Sequence, residues 1–111
     1  MSILRVPCGH RAPPVQQLIH NLALYKFENY FPNFVFSKKP VMRFSVAFPD
    51  AKERVGIMVF TKNANFDYAR FKVRINEAVA LGWRVFVVGR EEIDSPQFTS
   101  QLKRALGRKE Q

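Results

Sequence analysis

The sequence predicts an α/β fold of order αβββαβα, in which a mixed four-stranded sheet is flanked by helices. Residues 41–48 alternate as expected of a strand, and residues 55–60 (VGIMVF) form a continuous apolar run, typical of a strand buried on both faces. A helical pattern over residues 66–81 separates this run from a second apolar strand at 83–88. Because a helix joins the two strands, we expect them to pair in parallel at the centre of the sheet.

The chain before residue 41 predicts one helix and one short strand. The helix begins at Pro13-Pro14, since proline is tolerated in a first helical turn, and it ends before Pro32. Residues 33–36 form the strand and residues 37–40 the turn after it. In the strand at 41–48, alternation predicts one face made of Met42, Phe44, Val46 and Phe48, and an opposite face made of Val41, Arg43, Ser45 and Ala47.

The second half of the chain carries clear helix boundaries. A loop is predicted at 61–65, and Gly82 is the expected glycine at the end of the helix over 66–81. Asp94-Ser95-Pro96 combines capping side chains with a proline, which predicts a last helix that runs to about Leu106. Residues 1–12 show no periodicity and are interpreted as an arm, so residues 13–111 form a single α/β domain.

Charge and cysteine content narrow the function. Eighteen Lys and Arg against nine Asp and Glu give a net charge of +9, which favours a polyanionic partner, and nucleic acid is the commonest one. The lone Cys8 cannot form an internal disulfide, and the sequence has neither a signal-peptide run nor a membrane span, so we expect a cytoplasmic protein with no membrane partner. One cysteine and two histidines are too few for a zinc site, and no cofactor is expected.

Two segments resemble the PD-(D/E)XK, restriction-endonuclease-like superfamily. MRFSVAFPDAKERVGIMVF is similar to a region of small Vsr-like and phage-type nucleases in which Arg-Phe-Asp-Phe-Ala-Trp/Phe-Pro precedes a turn and a Glu-bearing strand. INEAVALGWRVFVV is similar to the helix-to-strand passage of that family, and the αβββαβ order is that of its core. The resemblance covers about residues 14–93 and implies a restriction-endonuclease-like core. It also implies a bacteriophage source, because many such nucleases belong to phages.

The catalytic positions depart from the family pattern. The resemblance places the metal-binding Asp at Ser45, the strand Glu at Met58 and the third active-site position at Phe60. A thioether and a phenyl ring do not ligate magnesium, so we expect a degenerate nuclease with no catalytic residues and no bound metal. Asp50-Ala51-Lys52 spells an acidic-x-Lys motif, and Glu28 could join it in a relocated site, but Pro-Asp is more typical of a turn.

Three hypotheses follow from these observations. The first is a pseudoenzyme that binds nucleic acid, DNA rather than RNA, through phosphates; its predicted contacts are Lys38, Lys39, Arg43, Lys62, Arg70 and Arg74. The second is an inhibitor or regulator of a host enzyme or defence complex, which would bind an acidic protein partner. The third is a metal-dependent endonuclease with a relocated site. A contiguous basic face favours the first, an exposed apolar patch the second, and three convergent carboxylates the third.

Overall fold

The computed structural model describes residues 13–60 and 67–107, which form a mixed four-stranded sheet with helices on both faces. The strands lie in the order β1-β2-β3-β4; β2 is antiparallel to both β1 and β3, and β4 is parallel to β3. The predicted α/β class and the parallel pairing of the two apolar strands are confirmed. The predicted arm and Cys8 lie outside the described residues. The elements are α1 (Pro14–Leu24), β1 (Phe31–Lys38), β2 (Val41–Phe48), β3 (Val55–Val59), α2 (Tyr68–Ala80), β4 (Arg84–Val88), α3 (Arg90–Ile93) and α4 (Pro96–Ala105).

The sheet separates two hydrophobic cores. The larger core lies between the sheet and the helices α1, α3 and α4, and it buries Leu18, Leu22 and Leu102 against Val46 and Ile57. The smaller core lies under α2. There the rings of Phe36 and Phe44 stack at 4.3 Å, and the rings of Phe44 and Trp83 lie 4.8 Å apart. Because β3 is covered by both cores, its sequence is apolar at every position.

The predicted alternation of β2 is wrong beyond Phe44. Phe44 packs in the core under α2, but Val46 packs in the core on the other face, and Ala47, expected on the outer face, is fully buried under α2. The side chains of β2 therefore switch to the opposite faces of the sheet at Ser45. Its neighbours Phe44 and Val46 pair with Phe34 and Pro32, so Asn33 is the corresponding position of β1. Asn33 has a φ of 58°, a left-handed conformation that asparagine tolerates better than most residues. The side chains of β1 and β2 thus switch faces at corresponding positions, and the two strands are paired on both sides of this point.

β4 lies at an edge of the sheet, so its predicted central position is wrong. Among the strands of residues 13–60 and 67–107, only β3 pairs with it, and Val87 is 41% exposed. Residues 85–88 are all apolar because side chains of this strand pack in both cores. Val85 packs under α2, and Phe86 and Val88 pack on the opposite face. A strand covered on both faces reads as fully apolar whether or not it has neighbours on both sides.

Several predicted element boundaries shift by a few residues. α1 ends at Leu24, well before Pro32, and β1 extends over Phe31–Lys38. α2 begins at Tyr68, because Asp67 caps it by accepting a hydrogen bond from the backbone N–H of Arg70 at 3.1 Å. The short helix α3 was not predicted. Gly82 has a φ of 92° directly after α2, and the Ser95 hydroxyl accepts from the backbone N–H of Gln97, so both boundary predictions are confirmed.

Candidate nucleic-acid interface

The three degenerate positions lie close together at the end of β3, where they have structural roles. The Ser45 hydroxyl accepts a hydrogen bond from the backbone N–H of Val59 at 3.1 Å. The N–H of Phe60, one residue further on, bonds to Val88 of β4, so the Val59 N–H points towards β2. β2 pairs with β3 through residues 46–48 of β2. The Ser45 hydroxyl therefore satisfies the Val59 N–H just beyond the last paired residues of the two strands.

Met58 and Phe60 extend the core under α2. Met58 is 1% exposed in that core. The ring of Phe60 lies 5.7 Å from the ring of Tyr68 and 5.9 Å from that of Phe71, both on the first half of α2. Aromatic packing therefore occupies the place where the family resemblance implies metal-binding carboxylates. A site of this composition offers no hard oxygen ligand at the second or third position.

A groove of about 510 Å³ lies above this aromatic packing, between α2 and the turn that joins β1 to β2. We refer to it as the α2 groove. Phe71 contacts Phe60 on one side and lines the groove on the other. Its charged lining residues are Asp67, Arg70 and Arg74. Its apolar lining residues are Pro40, Val41, Met42, Ala69, Phe71 and Val73.

Arg74 is the most constrained cation of the groove. Its guanidinium lies 5.1 Å from the centre of the Phe71 ring, in the geometry of a cation–π contact. The side chain is half-buried, and desolvation lowers the pKa of Arg74 from its ordinary value. Among the described residues, its buried Nε has no hydrogen-bond partner. An anion in the groove would compensate part of the solvation that burial removes from this guanidinium.

Two lysines flank the groove from the hairpin. Lys38 pairs with Val41 at the end of β1, and Lys39 precedes Pro40 in the turn; both lysines are exposed. Of the six predicted contacts, Arg70 and Arg74 therefore line the groove, and Lys38 and Lys39 lie beside it in the hairpin that provides Pro40 and Val41. Asp67, the one carboxylate among the described residues that line the groove, already accepts a hydrogen bond as the cap of α2. Four cations against one carboxylate make the groove electropositive.

The two remaining predicted contacts do not join this group. Arg43 of β2 is not among the described residues that line the groove. Lys62 lies outside the described residues. The sequence analysis also missed the apolar walls of the groove. The available signal was Val73. In the predicted helix over 66–81, the apolar stripe consists of Phe71, Ile75, Ala78 and Val79, and Val73 is an apolar residue outside it.

Glu28 and Asp50 meet at a different site. Both line a cavity of about 410 Å³ whose other residues include Phe27 and Leu106. Asp50 follows the end of β2 that is remote from the α2 groove, so this cavity is separate from Ser45, Met58 and Phe60. Over residues 13–60 and 67–107, no three His, Cys, Asp or Glu side chains gather as a metal site would require.

Over the same residues, none of the helices has the length and hydropathy needed to cross a bilayer. Comparison of the chain with protein-family models, curated proteins and solved structures finds no significant match, so the inference of function rests on the α2 groove and its surroundings.

Proposed function

We propose that this protein is a degenerate, restriction-endonuclease-like domain that binds nucleic acid through the α2 groove and does not cleave it. The observation that carries the proposal is a groove that is lined by Arg70 and Arg74, adjoins two exposed lysines of the hairpin, and contacts the degenerate position Phe60 through Phe71. In the nuclease fold, DNA lies along the cleft at the end of the strands that carry the carboxylates. The α2 groove has the corresponding place, with cations in excess and with aromatic packing instead of acids.

The topology supports the same proposal. The αβββαβ order of α1 to β4, with two antiparallel pairings followed by one parallel pairing, is the arrangement expected of a restriction-endonuclease-like core. α1 and α2 cover opposite faces of the sheet, as that core requires. Fold alone carries no activity, and the proposal therefore depends on the residues of the groove.

The chemistry of the degenerate positions argues against cleavage. Magnesium-dependent hydrolysis needs oxygen ligands that hold the metal beside the scissile phosphate. Met58 and Phe60 provide none, and the Ser45 hydroxyl already accepts the Val59 N–H. We expect no cleavage of DNA with magnesium or manganese. Metal-dependent cutting that is abolished by Asp50→Ala would instead establish a relocated site at the cavity that Glu28 and Asp50 line.

One observation favours a second function, the binding of an acidic protein. Val41 and Val73 are 59% and 57% exposed at the groove, and a peptide with apolar and acidic side chains would match these walls and their cations. The two functions differ in their response to polyanions, because a nucleic-acid site binds phosphate chains of any sequence, whereas a protein site requires its own partner.

Fluorescence anisotropy with labelled DNA at low salt, with magnesium present, tests the proposal. Arg70→Gln and Lys72→Gln are matched variants: both residues are exposed on α2, but only Arg70 lines the groove. At about 0.1 M salt, Arg70→Gln should weaken binding roughly five- to eightfold for every sequence, because each phosphate contact contributes ~0.7–0.9 to the salt exponent. Lys72→Gln should have a much smaller effect. Absence of binding by the unmodified protein at low salt would refute the proposal.

A further inference from the structure

The walls of the α2 groove are more apolar than phosphate binding requires. Phosphate contacts need only cations and N–H donors, yet six of the nine described lining residues are apolar. Val41 and Val73 keep more than half of their surfaces exposed there. Apolar side chains on a cationic surface offer a contact for something that is itself apolar and lies next to negative charge.

We propose that the α2 groove binds single-stranded DNA, with an unpaired base against the exposed Val41 and Val73 and the adjacent phosphates on Arg70 and Arg74. This inference rests on the proposed function and names its ligand more closely. A volume of about 510 Å³ lies within the ~300–1,000 Å³ typical of small-ligand pockets, which suits a nucleotide rather than a helix of paired strands.

The chemistry of the groove selects a single strand over a duplex. In a duplex the apolar faces of the bases stack on one another, so they cannot contact Val73 or Phe71, and such walls add nothing to phosphate binding. In a single strand those faces are free, and a base in contact with an apolar or aromatic wall adds to the affinity that the cations provide. The groove should therefore bind a single strand more tightly than a duplex of equal charge.

The same walls favour DNA over RNA. A ribose 2′-hydroxyl against these walls would lose hydrogen bonds to water without gaining a partner, because the described side chains around the base position are Val41, Met42, Phe71 and Val73. Arg74 is placed for the phosphate instead, because it lines the groove and its guanidinium is held over Phe71. A desolvated guanidinium of this kind forms strong hydrogen bonds with a phosphate oxygen.

A comparison of single strands with and without bases tests the inference. The probes are a DNA strand of about twelve nucleotides, an abasic strand of the same length, a duplex and an RNA strand, with a polyglutamate peptide as a non-nucleic polyanion. The base-bearing DNA strand should bind at least about fivefold more tightly than the abasic strand, since the two differ only in the contact with bases. The duplex and the RNA strand should both bind less tightly than the DNA strand.

Val73→Ser and Val79→Ser form the matched pair of variants. Both valines are 57% exposed on α2, but Val79 does not line the groove, and valine and serine have similar helix propensities, so both variants should fold. Val73→Ser should reduce the advantage of the base-bearing strand about threefold or more, and Val79→Ser should preserve it. Circular dichroism of both variants checks that the fold is retained.

The outcomes separate the inference from the proposed function. Equal affinity for abasic and base-bearing strands, or tighter binding of the duplex or the RNA strand, would overturn the inference and leave the phosphate-binding function standing. Equal effects of Val73→Ser and Val79→Ser would also overturn it. Failure of every nucleic acid to bind at low salt, or polyglutamate binding as tightly as the DNA strand, would overturn both in favour of an acidic protein partner.

Discussion

Lys39→Gln should weaken nucleic-acid binding, whereas Lys52→Gln should leave it nearly unchanged. The two lysines are a matched pair, because both are exposed and both lie in turns that flank β2, at its opposite ends. Only Lys39 adjoins the α2 groove, through Pro40. Eight residues of strand span about 26 Å, roughly three times the Debye length of ~8 Å at physiological salt. The charge of Lys52 is therefore screened from a ligand in the groove.

The structure sets the size of the effect. Each phosphate contact with a single strand contributes ~0.7 to the slope of log K against log[salt]. One contact for each of the two lining arginines and the two adjoining lysines predicts a slope of about −2.8. The six contacts predicted from the sequence would give about −4.2. Lys39→Gln should reduce the slope to about −2.1 and lower affinity roughly fivefold at about 0.1 M salt.

Anisotropy titrations over a salt series measure both quantities for the unmodified protein and the two variants. A slope near −2.8 with an effect confined to Lys39→Gln is the expected result. Equal losses in Lys39→Gln and Lys52→Gln would refute the reasoning, because binding would then follow the total charge of +9 and not the groove. A slope steeper than about −4 would show that cations beyond the four take part.

Two further predictions concern residues beside the groove and in the core beneath α2. Gly56→Ala should destabilise the protein by about 1–3 kcal/mol in chemical denaturation, because an added Cβ would overlap the ring of Phe44. Gly89→Ala is the control, since its Cβ would meet nothing nearer than 3.5 Å. Equal stabilities of the two variants would contradict the packing of Phe44 against Gly56. Asp67→Asn should strengthen DNA binding a few-fold and keep the helix cap, whereas Asp67→Ala should strengthen binding equally but lower the free energy of unfolding by about 1 kcal/mol. Weaker DNA binding by Asp67→Asn would show that this carboxylate does not face the ligand.

The sequence located most elements because their signals are local. The run at 55–60 is apolar at every position, and the structure buries β3 between two cores. Ser95 before Pro96 predicted the start of α4, and Gly82 predicted the end of α2, because capping and left-handed turns depend on a few adjacent residues. Two predicted groove residues, Arg70 and Arg74, also followed from local pattern, since residues four apart share one face of a helix.

The sequence by itself thus determined the α/β class, the parallel crossover and the basic face of α2, whereas the tertiary structure decided how these parts meet. The reversal of β2 at Ser45 coincides with the left-handed Asn33 of the neighbouring strand β1, between the pairs Pro32–Val46 and Phe34–Phe44, and the edge position of β4 depends on which strands it pairs with. The α2 groove joins Pro40 and Val41 to Arg74 across more than thirty residues of chain. Periodicity reports which face of an element is apolar, but it carries no information on which distant element covers that face.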